Sequence, residues 1–301
     1  MPSLKEIKGR IGSVKSTLKI TSAMKLVASA KLRKAQLTIE GMRPYERKLQ
    51  EILARLMVQG GTATSVSSAS LRDPIRANAP ETEAAAPQKI ALVAFASNSS
   101  LCGAFNANVI RLAQETLRSY GDADVTVYSI GRKMADAMKK AGKPSPEDYQ
   151  KLADKPSYAP AVELAESLME AFREDRLDRV DLVYNHFVSS GKQVPVRETF
   201  LPMGEIPGQV RNDAPADRDY ILEPSAAELL EDLLPKSLRL KFYTALLDSN
   251  ASEHAARTVA MQTATDNGED LLQELTLQYN KSRQQKITSE ILDLAGGSQE
   301  Q

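Results

Sequence analysis

LKEIKGRIGSVKSTLKITSAMKLVASAKLRKAQLTIEGM, residues 4–42, repeats an apolar position every three then four residues with no Gly-Pro interruption. Leu4, Ile7, Ile11, Val14, Leu18, Ala28, Leu32, Ala35, Ile39 and Met42 keep the register, and only Thr21 and Lys25 break it. This spacing is the seam of a coiled coil, narrower than the apolar face of a globular helix. A second long helical pattern runs from about Ser225 to Ala295. At ~1.5 Å rise per residue, roughly 70 helical residues span about 100 Å. A compact chain of this length has a radius of gyration of only about 19 Å. The two ends of the chain are therefore predicted to pair and project as a rod.

Outward from that stretch, the first helix is predicted from Ser3 to about Met57. Pro2 stands ahead of it, and Ser3 with Glu6 has capping-box spacing. Pro44 should kink the helix because it removes an i→i−4 bond, but Tyr45, Leu49, Ile52 and Leu56 resume the pattern before Gly60-Gly61 ends it. Residues 58–87, rich in Ser, Thr, Ala, Gly and Pro, read as an exposed flexible connection. From Lys89 the period changes. Ile90–Phe95, Val125–Ile130, Val180–Val188 and Val194–Leu201 read as strands, with helices over Ala107–Tyr120, Arg132–Ala141 and Pro160–Asp175. The alternation predicts a small α/β domain with a mostly parallel sheet. The expected division is 1–57 first coiled-coil helix, 58–87 connection, 88–205 α/β domain, 206–224 foot, 225–296 second coiled-coil helix and 297–301 tail. Pro235 should bend or break that second helix near its start.

The 301 residues hold 39 bases and 39 acids, so overall charge selects no partner. Its distribution is uneven. Residues 1–36 carry Lys5, Lys8, Arg10, Lys15, Lys19, Lys25, Lys31, Arg33 and Lys34 against Glu6 alone, whereas residues 213–235 carry seven acids against Arg218 alone. No apolar run approaches the ~18 residues of a transmembrane helix. No secretory h-region or Arg/Ser-rich presequence precedes the first helix. Cys102 is the single cysteine, which excludes a disulfide within the chain and a Cys-based zinc site. A reduced, cytosolic setting is expected.

Little in the sequence points to catalysis. SNSSLCGAFN (97–106) lies between strand and helix, where a phosphate loop would sit, but it has one Gly and neither GxGxxG nor GK[ST]. Cys102 reads as a structural thiol. His186 and His254 lack metal-ligand spacing and read as structural too. No cofactor, metal or catalytic residue is expected. The basic N-terminal helix lacks the aromatics of a single-strand nucleic-acid binder, so an acidic protein surface is the preferred partner. Ala256, Ala260, Ala264 and Gly268 recur at i+4, and Ala23, Ala28, Ser29 and Ala30 are comparably small. Small residues on both helices predict a slender stem. Ile287, Ile291, Leu292 and Leu294 predict an apolar tip that inserts into another protein. A static coiled-coil adaptor is the competing reading, and a nucleotide-dependent enzyme the weakest.

IKGRIGSVKSTLKITSAMKLVASAKLRKAQ, ASEHAARTVAMQTATDNG (251–268) and YNKSRQQKITSEI (279–291), with Tyr220, Glu223 and Pro224 as a YxxEP element, resemble the γ subunits of F-type ATP synthases over essentially the whole chain. The resemblance implies an antiparallel two-helix coiled coil with an inserted Rossmann-like α/β domain. It implies a non-catalytic central-stalk rotor that carries torque between a membrane c-ring and the catalytic sites of an α/β hexamer. One copy per complex at the cytoplasmic face of a bacterial inner membrane is implied, with α, β, ε and the c-ring as partners and no nucleic acid. By motif position, Met24, Lys25, Arg257, Arg283, Gln284, Thr288 and Glu290 would meet α and β, and Tyr220 and Glu223 would meet the ring and ε. Two departures stand out. The loop reads SNSSLCGAFN where the family usually has SDRGLCGxxN, and the chain ends GGSQEQ where small apolar residues are usual. No chloroplast-type dithiol insertion is present, so redox control through γ is not expected.

Overall fold

A computed structural model describes residues 3–59, 89–202, 223 and 225–297. The connection expected at 58–87, most of the foot, Tyr220 and the final SQEQ residues 298–301 lie almost wholly outside the described residues. The chain divides into two compact units, Met1–Ala30 with Arg257–Gln301, and Lys31–Ala256.

Helix α1 covers Leu4–Gln59. Its start follows the capping chemistry read from sequence: the Glu6 N–H donates to Ser3 Oγ at 3.2 Å. Pro44 lies inside the helix without ending it. The last helix, α6, covers Ala226–Gly297 and starts the same way, with the Glu228 N–H donating to Ser225 Oγ at 3.3 Å. Pro235 also lies within α6, so of the bend or break expected there the break does not occur. The physical reason is burial around it. Leu234, Leu238, Leu240 and Phe242 are all buried, at about 1.5–3 kcal/mol each. Together they exceed the ~3 kcal/mol that an interior proline costs a helix.

In the Lys31–Ala256 unit, strands β1 (Lys89–Phe95), β2 (Asp124–Ile130), β3 (Arg179–Ser189) and β4 (Lys192–Leu201) form one sheet in the order β2-β1-β3-β4. β1 is parallel to both β2 and β3, and β4 is antiparallel to β3. The expected mostly parallel sheet is present. Helices α2 (Phe105–Ser119), α3 (Arg132–Lys140) and α5 (Tyr158–Arg173) lie close to their expected ranges. The five-residue α4 (Gln150–Asp154) is too short to show a period and was not anticipated.

Residues Ile90–Phe95 of β1 are all buried because helices cover both sheet faces. Ile90, Leu92 and Ala94 cluster with Val109 and Ala113 of α2 and with Met134 and Met138 of α3. Ala91, Val93 and Phe95 cluster with Leu164, Leu168 and Phe172 of α5 and with Leu238, Phe242 and Leu246 of α6. The first part of α6 is thus part of the α/β core. The turn into α3 requires glycine: Gly131 has φ +98°, and a Cβ there would stand 2.1 Å from the Ala96 carbonyl oxygen.

Candidate functional site

The residues with the strongest functional reading lie in the unit made of the two chain ends. There the N-terminal part of α1 and the C-terminal part of α6 run antiparallel. Thr265 Oγ1 donates to Thr21 Oγ1 at 2.9 Å, Lys25 Nζ donates to Gln262 Oε1 at 2.5 Å, and Gly268 faces Leu18. The positions of α6 that close this seam are Met261, Thr265, Gly268, Leu272 and Leu275. Met261, Thr265 and Leu275 are buried, and Gly268 and Leu272 half-buried. Their spacing is four-three-four-three, matching α1.

That spacing corrects the row of small residues read at i+4. Within this unit only Gly268 of the row occupies the seam, while Ala260 and Ala264 flank it half-exposed. The helices approach closely at the level of Gly268, where a Cβ would come within 2.7 Å of Leu18 Cδ2. The two residues that break the apolar register of α1 are accounted for here. Thr21 and Lys25 form a polar layer with Thr265 and Gln262. The Thr21 hydroxyl donates in turn to the Leu18 carbonyl at 3.1 Å, and Thr265 shares its one proton with the Met261 carbonyl at 2.8 Å.

The expected contact residues fall into two groups. Lys25 belongs to this layer and Met24 lies beside it, both half-buried. Arg257 is only 8% exposed, so its stem packs inside the chain. Arg283, Gln284, Thr288 and Glu290 are exposed, with Glu290 3.7 Å from Lys286 one turn away. The pairing explains the exposure. Continuing the register of Leu18 with Gly268 and Thr21 with Thr265 sets Leu4, the start of α1, opposite residue 282. From there to Gly297, α6 has no α1 residue beside it, and Ile287, Ile291 and Leu292 are exposed, Leu292 at 64%. Glu223 is exposed.

Sequence reasoning missed a second set of apolar side chains in this unit. Ile20, Leu26, Val27, Val259, Leu271 and Leu277 are all exposed, Leu277 at 71%. Their signal was present, because Ile20, Leu26 and Val27 are apolar residues off the seam of an otherwise basic helix.

In the other unit, the loop 97–106 satisfies its own polar groups. The Ser97 N–H donates to Asn106 Oδ1 at 3.1 Å, and Ser97 Oγ donates to the Ser99 carbonyl at 2.6 Å. Asn106 Nδ2 donates to Cys102 Sγ at 3.1 Å, and Cys102 packs with Phe105 and Ala256. The thiol is thus a buried structural group, as read. Asn98 ties the loop outward, accepting from the Arg132 N–H at 2.8 Å and donating to the Gln150 carbonyl at 2.8 Å.

Two ionic networks brace this unit. The fully buried Asp181 accepts from Arg179 Nε at 3.0 Å, Arg197 Nε at 2.9 Å and the Tyr120 hydroxyl. Burial and then Asp181 push the Tyr120 hydroxyl well above the usual phenol range. On the opposite sheet face, His186 Nδ1 and the Phe187 N–H meet the two oxygens of Asp248, at 2.5 and 2.9 Å. Burial raises the Asp248 carboxyl, opposed by the Phe187 N–H and then His186. His186 is therefore a ring on a half-buried acid, and His254 is buried in α6. Among the described residues no group of three or more His, Cys, Asp or Glu is placed to hold a metal ion.

The profile of the ATP synthase family, described simply as "ATP synthase", matches residues 3–299. An ATP synthase gamma chain of Bacteroides fragilis is 53% identical over 304 residues, covering 99% of both chains. One from Phocaeicola vulgatus is 51% identical over 301 residues, again at 99% coverage of both. The chain belongs to the ATP synthase gamma-chain family. It is a non-catalytic central-stalk rotor subunit that couples rotation to ATP synthesis. The fold agrees. A chain of the Euglena gracilis mitochondrial ATP synthase, solved with OSCP, F1 and the c-ring, superposes with TM-score 0.60 at 19% identity, covering 98% of this chain and 93% of that one. A rotor chain of the same enzyme gives 0.56 at 20% identity, covering 94% and 98%. No helix among the described residues is long and apolar enough to cross a membrane.

Proposed function

We propose that the chain-end coiled coil turns, as a single copy, in the axis of a hexamer of α and β subunits, and that the foot around Tyr220 and Glu223 engages ε and the c-ring. The complex would sit at the cytoplasmic face of a bacterial inner membrane, held peripherally. The observation that carries this reading is the unaccompanied end of α6. Exposed Ile287, Ile291 and Leu292 form an apolar surface that no other described residue covers, and such a surface needs a partner. Arg283, Gln284, Thr288 and Glu290 lie on the same exposed stretch and would contact the hexamer there. Met24 and Lys25 would meet it further along, beside the exposed Ile20 and Val27. Arg257, being largely buried, would act by positioning this level of the coil.

The test is reconstitution. The isolated chain should hydrolyse no ATP, and adding it to isolated α and β subunits should restore ATPase activity. Proton pumping coupled to ATP by a complex lacking this chain would overturn the assignment.

A further inference from the structure

A cleft of about 510 Å³ lies between α5 and the segment 146–152 that enters α4. One wall is a single face of α5, because Pro160, Glu163, Ser167 and Glu170 recur at three and four residues. The other wall carries Glu147 and Asp148. The rings of Tyr128 and Tyr149, with centroids 6.3 Å apart, and buried Leu152 and Leu164 give the cleft an aromatic and apolar lining. The Tyr128 hydroxyl, pushed above the usual phenol range by burial and then by Glu147, has no hydrogen-bond partner among the described residues.

The charge of the cleft has one sign. Its lining holds four carboxylates, Glu147, Asp148, Glu163 and Glu170, against Lys151 and Arg176. Arg176 is already engaged by Glu174 at 2.6 Å, outside the lining. Glu147 accepts from the Tyr149 hydroxyl at 3.1 Å and Asp148 from the Gln150 N–H at 2.9 Å. None of the four carboxylates has a cationic partner among the described residues. The excess extends beyond the lining, since residues 144–178 carry nine Asp/Glu against four Lys/Arg. Spacing then selects the kind of cation. Glu163 and Glu170 lie two turns apart, about 10 Å along the helix, which is too wide for one metal ion to bridge. Among the described residues no group is placed to hold such an ion.

We propose that this cleft binds a linear aliphatic polyamine. Its terminal ammonium groups meet Glu163 and Glu170, an inner amine meets Glu147 across the cleft, and its methylenes lie on the tyrosine rings. A ring that faces an ammonium adds cation–π attraction to the ion pairs. The volume falls in the range of small-molecule sites, whereas a partner protein needs a far larger surface. The inference concerns the α/β domain alone and goes beyond the rotor function.

The test is calorimetric titration of the full-length chain with spermidine, which spans two helical turns when extended, and with ethylenediamine, which does not. Spermidine should bind saturably at a single site, and ethylenediamine about tenfold more weakly. Glu163→Gln with Glu170→Gln, both on the surface, should weaken spermidine by roughly tenfold. Glu115→Gln, on exposed α2 surface, should leave its affinity unchanged. Absence of saturable binding, or undiminished binding by the double variant, would overturn the proposal. So would equal affinity for ethylenediamine or magnesium ions, which would mark a diffuse acidic surface only. Tighter binding of trilysine than of spermidine would overturn it too, and would mark a docking site for a basic protein segment.

Discussion

Glu46 shows how a single side chain contributes to the pH response of the Lys31–Ala256 unit. Burial, and then the nearby Glu198, raise its carboxyl above the usual value, against the pull of Arg43 and Lys241. A raised folded-state value means that protonation favours the fold. The contribution is complete below the unfolded value of about 4.3 and is lost as pH rises through the folded value. Glu46→Gln should therefore melt higher than the parent at neutral pH and lose that advantage near pH 4, read from melting curves across the range. A constant difference at all pH values would show that the carboxyl's charge is not the cause. Asp181 matters through its ion pairs. It is buried against two arginines that are about one-third exposed, so Asp181→Asn leaves two cations facing a neutral amide. The loss should be about 3 kcal/mol, read from the urea midpoint. Neither network was legible in sequence. Asp181 and Arg197 meet only because β3 and β4 pair antiparallel, and nothing local to either residue announces it.

At the scale of elements, the heptad of α1 was legible because 3-4 spacing is local, and so were the strands, whose apolar runs are bounded by turn residues. The seam of α6 was not. Ala256, Ala260, Ala264 and Gly268 drew attention to an i+4 row, while the seam uses Thr265, a polar residue whose role is visible only once Thr21 lies opposite. Gly268 provides the test. Gly268→Leu must displace Leu18 and should cost about 2 kcal/mol. Gly268→Ala should stay within about 1 kcal/mol of the parent, because gained helix propensity offsets the contact with a flexible leucine end. Equal urea midpoints for the Leu variant and the parent would show that the helices do not approach closely there. The Thr pair predicts a different pattern. Thr21→Val with Thr265→Val removes donor and acceptor together and should be close to neutral, because no buried hydroxyl is left unpaired. A melting temperature well below the parent would show that the polar layer itself stabilises the coil.

For the whole molecule, function was legible because several long motifs occur in order along the chain, each too specific to arise from helix periodicity. Their geometry was legible only in part. Lys25, expected by motif position to meet α and β, donates to Gln262, so its charge reaches a partner only beside a polar layer. Lys25→Glu keeps that layer, since the Gln262 amide can donate to the new carboxylate. Assembly of the complex should be unchanged, and protons pumped per ATP should fall. An unchanged ratio would remove Lys25 from the working surface of the rotor.

Cys102 is 1% exposed and its sulfur is held by Asn106, so the folded chain offers alkylating reagents no accessible thiol. A cysteine introduced at exposed Thr288 would then be the sole fast-reacting group, and a dye placed there would report on the tip alone. The slow reaction of Cys102 itself carries separate information, because it proceeds only when the 97–106 loop opens. The native thiol is thus a built-in clock for the opening of that loop, readable in the assembled complex without any substitution.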